Sequence, residues 1–93
     1  MNTLHIVSCS PRSENTMTSL RRMLGGDDGI LLTGDGVYIA LDQHTSLNAP
    51  LFAIEHDVRA RGLLPHWPAV IPLLDHGGYV DLCVHYPKSL NWS

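Results

Sequence analysis

Gly29-Ile30-Leu31-Leu32-Thr33 is an almost unbroken apolar run, with Asp27 and Asp28 before it and Gly34-Asp35-Gly36 after it. A strand with one wet face alternates apolar and polar residues, whereas a strand covered on both faces has no need to. The run therefore predicts a strand buried on both sides, as in a parallel sheet layered between helices. Two neighbouring segments have the same character. Leu4-His5-Ile6-Val7 lies upstream and stops at Ser8-Cys9-Ser10-Pro11; Leu51-Phe52-Ala53-Ile54 lies downstream.

Helical patterns fill the intervals. Met17, Leu20 and Leu24 share one stripe, with Asn15 or Thr16 as cap and Gly25-Gly26 as terminator. Arg21 and Arg22 sit where the helix macrodipole favours cations. Val37-Tyr38-Ile39-Ala40-Leu41 is short enough for a strand or a helical turn and is read as helical. The polar stretch 42–50 reads as a mobile loop. After the third strand, Asp57 is expected to cap a helix that runs through Arg61 and closes at Gly62. Pro65, Pro68 and Pro72 make the next stretch irregular, leaving Val70-Ile71 and Leu73-Leu74 for a short fourth strand. Asp75 then caps a helix expected to carry Tyr79, Val80, Cys83 and Val84 inward, and Pro87 stops it. Ser89-Leu90-Asn91-Trp92 is a last edge strand. Strands alternating with helices imply an α/β fold with an open, mostly parallel sheet in three layers and right-handed crossovers.

The chain has 93 residues, 44% hydrophobic and 16% charged, which suits one small folding domain over residues 1–93 and excludes a disordered tail. So little charge leaves limited polar cover, a property expected of a subunit. Six Lys and Arg against nine Asp and Glu give a net charge of −3, and Arg21-Arg22 is the one adjacent basic pair. Direct nucleic-acid binding needs clustered cations to displace counterions, so it is not expected. Two cysteines point to a reducing compartment rather than a disulfide framework. No signal peptide and no membrane-spanning run is legible, so the expected location is cytoplasmic.

Three constellations invite a chemical reading. Gly34-Asp35-Gly36 follows a strand, with Glu55 about 20 residues on, close to a dinucleotide fingerprint. Ile39 stands where that fingerprint needs Gly or Ala, so the glycines are read as a tight turn and no cofactor is assigned. His5, His44, His56, His66, His76 and His85 form no H-x3-H pair and no His/Cys cluster, so no metal site is expected and most are read as surface or loop residues. Cys9 lies between a strand and a helix N-terminus, where backbone N–H groups lower a thiol pKa. It lacks a C-x-x-C partner and the Cys–Arg spacing of a phosphatase loop. It remains the candidate thiol, against a reading as a small, partly buried residue; Cys83 is read as core. Cys9, Asp35 and Glu55 all fall at expected strand carboxyl ends, where such sheets gather ligands.

Four segments carry a resemblance in the same order. They are Thr3 to Val7 with Ser10-Pro11, then Ile30-Leu31-Leu32 with Asp35 to Leu41, then Leu51 to Leu63, and finally Asp75 to Trp92 with Tyr79-Val80-Asp81-Leu82. Together they resemble the DsrH/TusB family over nearly the whole chain. The resemblance implies flavodoxin-like crossovers and a B/H-type subunit of a sulfur-relay complex. The implied partners are TusC-like and TusD-like subunits, two copies of each chain forming a heterohexamer. The complex would pass persulfide sulfur towards 2-thiolation of the tRNA wobble uridine, or serve sulfur oxidation in the DsrEFH version. The principal sulfur-carrying cysteine belongs to another subunit, and Leu20 stands where some H-type chains have their own. The B/H-type chain is then mainly structural and docking. Tyr86, Leu90 and Trp92 are candidate interface residues, with Trp92 in its own core as the alternative. Two further readings stay open: a stand-alone thiol sulfurtransferase using Cys9, and a homo-oligomeric ligand-binding module.

Overall fold

The computed structural model describes residues 2–42 and 47–93. Five strands, β1 (Thr3–Val7), β2 (Gly29–Leu32), β3 (Leu51–Ile54), β4 (Leu73–Leu74) and β5 (Lys88–Trp92), form one all-parallel sheet in the order β4-β3-β2-β1-β5. Three α-helices, α1 (Glu14–Met23), α2 (Glu55–Ala60) and α3 (His76–His85), and a 3-10 helix over Gly34–Leu41 pack on it. A second 3-10 turn covers Leu64–His66.

The α/β expectation holds, and the pleat explains how β2 comes to be buried throughout. Ile30 and Leu32 point into a cluster with Met17 and Leu20 of α1, Val37 and Ile39 of the 3-10 helix, and Val58 of α2. Leu31 points the other way, with Leu4 and Leu82 of α3. In-register neighbours Trp92, Val7, Leu32, Ala53 and Leu73 make one row across the first face. Chain order accounts for these layers. The β1–β2, β2–β3 and β3–β4 connections all advance in one direction, whereas α3 returns from one sheet edge to the other and crosses the opposite face.

Several local expectations are corrected. Helix α1 starts two residues early, with Ser13 as N-cap rather than Asn15 or Thr16, because the Pro11-Arg12 turn already folds Ser13 N–H onto the Ser10 carbonyl. Helix α2 follows β3 with no loop, so Ile54 is its N-cap; Asp57 instead accepts the Gly34 N–H at 3.0 Å. Val70-Ile71 is not a strand. Pro68 and Pro72 bracket a turn in which Ile71 is buried and Val70 is 87% exposed. The inward stripe assigned to α3 is also wrong. Leu82 is the buried residue, Tyr79 and Tyr86 pack beside it, and Val80, Cys83 and Val84 are exposed. Spacing showed which residues share a flank, but the surface they face was set by the sheet. Asp75 does cap α3, accepting the Gly78 N–H at 2.8 Å, and β5 is the edge strand.

Candidate functional site

Three features invite chemical scrutiny: the Cys9 loop after β1, a groove at the carboxyl ends of β3 and β4, and a buried histidine network that reaches from β1 to the turn at the amino end of β2.

Cys9 leaves β1 two residues after Val7 and turns into the main core, where it is buried. Burial pushes its thiol up from the ordinary cysteine value, and a backbone hydrogen bond only partly opposes this. Desolvation penalises the charged form, so the thiolate is scarce at neutral pH. The glycines downstream have a packing purpose beside this loop. Gly34 has a φ of +50°, and a Cβ on Gly36 would run into the Val7 carbonyl oxygen. That carbonyl also accepts the Thr33 N–H, so the 3-10 helix is clamped against the end of β1. Asp35 and Glu55 line separate hollows: Asp35, paired with Arg61 at 3.1 Å, borders one of about 400 Å³ with Ser10, Arg12 and Tyr38, and Glu55 borders the groove beside β3 and β4.

His5 is buried, contrary to a surface or loop reading. Its Nε2 lies 2.9 Å from Asp28 Oδ2, and the Trp92 indole N–H donates to its Nδ1 at 3.0 Å. Asp28 also accepts backbone N–H groups from Gly25 (2.8 Å) and Thr3 (3.0 Å). The Gly25 and His5 hydrogen bonds outweigh burial and lower its carboxyl pKa to about 2. This network ties β1, the turn before β2 and the edge strand β5 together. The signal in the sequence was an acid immediately before the fully apolar strand.

The groove, of about 560 Å³, has Ile6, Ile54 and Leu74 as its floor and Tyr79 of α3 as its wall. Glu55, His56 and Arg59 meet Asp75 and His76 at its mouth. The sequence carries the hint twice, as Ile54-Glu55-His56 and Leu74-Asp75-His76. Because Ile54 and Leu74 are partners in register, the two acid–histidine pairs end side by side. The connections after β3 and β4 leave for opposite faces, α2 to one and α3 to the other, which opens a crevice at that point. Arg59 Nε donates to Glu55 Oε2 at 3.0 Å. The Tyr79 phenol is raised above its ordinary pKa, first by its hydrogen bond to Cys83.

Among the described residues no three His, Cys, Asp or Glu side chains are grouped to hold a metal ion. No helix among them is long and apolar enough to cross a membrane. His44 lies outside the described residues, as does the centre of the 42–50 segment expected to be mobile. His66 and His85 are exposed and apart from the groove. Tyr86 packs in the α3 cluster and Trp92 against the main core, whereas Leu90 is exposed.

Known proteins with this fold and sequence are consistent with one another. The chain is similar to protein Tm0979 of Thermotoga maritima, with a TM-score of 0.70 and 25% identity over 89% of this chain and 92% of that one. It shares its fold with the ychN protein of E. coli, at a TM-score of 0.66 and 17% identity over 99% of this chain and all of that one. In sequence it is 37% identical to Protein TusB of Pectobacterium carotovorum and 34% identical to Protein TusB of an Enterobacter, each over 96% of this chain and 99% of the relative. The model of the family described as DsrH like protein matches residues 9–89. On that match, and on its near full-length likeness to TusB proteins, the chain belongs to the DsrH family.

Proposed function

We propose that this chain is a subunit of a cytoplasmic sulfur-relay complex, its residues 1–93 forming one DsrH/TusB-like domain. The relay passes persulfide sulfur towards the 2-thiolated wobble uridine of tRNA. The chain holds and docks TusC-like and TusD-like subunits in a heterohexamer and does not itself carry the sulfur. The likeness to TusB proteins over nearly the full length supports the relay and its tRNA branch. The burial of Cys9 supports a docking role over a carrier role for that thiol. A persulfide carrier needs an accessible, low-pKa thiolate to attack sulfur, whereas the Cys9 thiol is buried and its pKa raised.

The test is Cys9→Ser in the native host, read by mass spectrometry of the assembled complex and by tRNA 2-thiouridine content. Assembly and thiolation are expected to match wild type. A persulfide on wild-type Cys9, with thiolation lost in the variant, would instead make this chain the carrier. Deleting the chain should deplete 2-thiouridine. Unchanged 2-thiouridine with impaired sulfur oxidation would assign it to the DsrEFH branch.

A further inference from the structure

Strand β5 is held on one side only, by β1, and four of its five residues are exposed. Trp92 is the partly buried one, packed against the core cluster that contains Cys9. Its two polar groups make separate attachments. The Trp92 carbonyl accepts the Ser8 N–H at 2.9 Å and the Ser8 hydroxyl at 3.2 Å. The indole N–H reaches His5 Nδ1 at 3.0 Å. One residue thus fastens the end of β5 both to the buried histidine and to the residue before Cys9.

The two hydrogen bonds of the His5 ring differ in what they tolerate. Nδ1 accepts from Trp92 and so needs its lone pair, while Nε2 donates to Asp28 at 2.9 Å. Protonation puts a hydrogen on both ring nitrogens. The bond to the Asp28 carboxylate then becomes charge-assisted and strengthens. At Nδ1, two N–H groups face each other from 3.0 Å with no acceptor between them. His5 is 1% exposed, so the new Nδ1–H gains a partner only if the indole leaves and lets water in. The other charged or titratable groups on neighbouring elements point elsewhere. Arg21 and Arg22 of α1 and Asp27 of the turn before β2 are exposed. Lys88 of β5 is in register with Thr3, and the Tyr86 hydroxyl lies by Gly29 in the α3 layer.

We infer that Trp92 is a proton-operated latch on the Cys9 loop. It seats the end of β5 while His5 is neutral and lifts when His5 takes a proton, which frees Ser8 and admits solvent to the Cys9 thiol. Histidine charges between about pH 5 and 8, so mild acid is the trigger. The closed form excludes the proton and the open form accepts it, so falling pH favours opening. The shielding of Cys9 is therefore conditional.

The test follows the reaction of the full chain with 2,2′-dithiodipyridine, a disulfide that reacts with thiols in mild acid, by peptide mass spectrometry at pH 7.5 and 5.5. Cys83, exposed in the same molecule, is the reference for the general effect of pH on thiol reactivity. The Cys9-to-Cys83 rate ratio should rise roughly fivefold or more at pH 5.5, the equilibrium worth of one hydrogen bond. Hydrogen exchange, corrected for its intrinsic pH dependence, should show the Trp92 indole and Ser8 amide losing protection while the β2 amides keep theirs. Trp92→Phe keeps a ring but removes the opposing N–H. Its ratio should already be raised at pH 7.5 and should barely change with pH. His5→Gln, which does not titrate, should also lose the pH dependence; if it fails to fold, Trp92→Phe decides. An unchanged ratio in the wild type overturns the latch. So does a rise that persists in Trp92→Phe, or one accompanied by loss of β2 protection, which is unfolding of the whole sheet. None of these outcomes touches the relay role.

Discussion

An indole N–H can only donate, and that of Trp92 points at His5 Nδ1 from 3.0 Å. Nδ1 must therefore present its lone pair, which leaves the hydrogen on Nε2, aimed at Asp28. Nitrogen NMR of His5 should report the Nε2–H form, and Trp92→Phe should lose that preference. It should also destabilise the fold by about 1–3 kcal/mol, because a buried acceptor is left unmade. The Asp28 carboxyl, lowered from 3.8 to about 2, gives a signed pH effect. A group whose pKa falls on folding stabilises the protein above its unfolded value and loses that contribution as pH drops through the folded one. Urea unfolding between pH 2 and 6 should thus show stability falling from about pH 4 towards pH 2. Asp28→Asn should flatten that dependence and be less stable at neutral pH by roughly 1.5–3 kcal/mol, the worth of a hydrogen bond to a charged group.

At the scale of elements, the fold depends on how closely the 3-10 helix approaches β1. Gly36 packs against the Val7 carbonyl, which already holds Thr33, so a methyl group there must separate two backbones. Gly36→Ala should lower the urea midpoint by the equivalent of about 1–3 kcal/mol, the usual range for overpacking. Gly26→Ala, where a Cβ meets nothing within 4 Å, is the matched control and should change little. The same close approach gives the Gly-Asp-Gly segment a structural account of its own. Its first glycine supplies a positive φ and its second a close approach; both needs are internal to the fold.

For the whole molecule, the distribution of cover separates the two thiols. Cys9 is buried with its pKa raised, whereas Cys83 is exposed on α3. Under native conditions iodoacetamide should alkylate Cys83 at least tenfold faster than Cys9, as followed by peptide mass spectrometry. In urea the two rates should converge. Comparable native rates would mean that Cys9 is reached by reagents and would reopen its candidacy as a sulfur carrier.

Hydrophobic patterning is local, and it was enough to place β1, β2, β3 and the α/β alternation. An apolar run of the length of Gly29–Leu32 has few other uses in a small core. The candidate site was less legible. The His5–Asp28 bond spans 23 positions and the Trp92–His5 bond 87, so both depend on β5 returning beside β1, which no local pattern specifies. Periodicity likewise grouped Tyr79, Val80, Cys83 and Val84 on one flank of α3. It could not say that a single helix would cross a five-stranded face and leave that flank and the floor beside it uncovered. The sequence determined which residues belong together on each element. The tertiary structure decided what each group faces, because strand order, not spacing, sets how much of each sheet face the chain can cover.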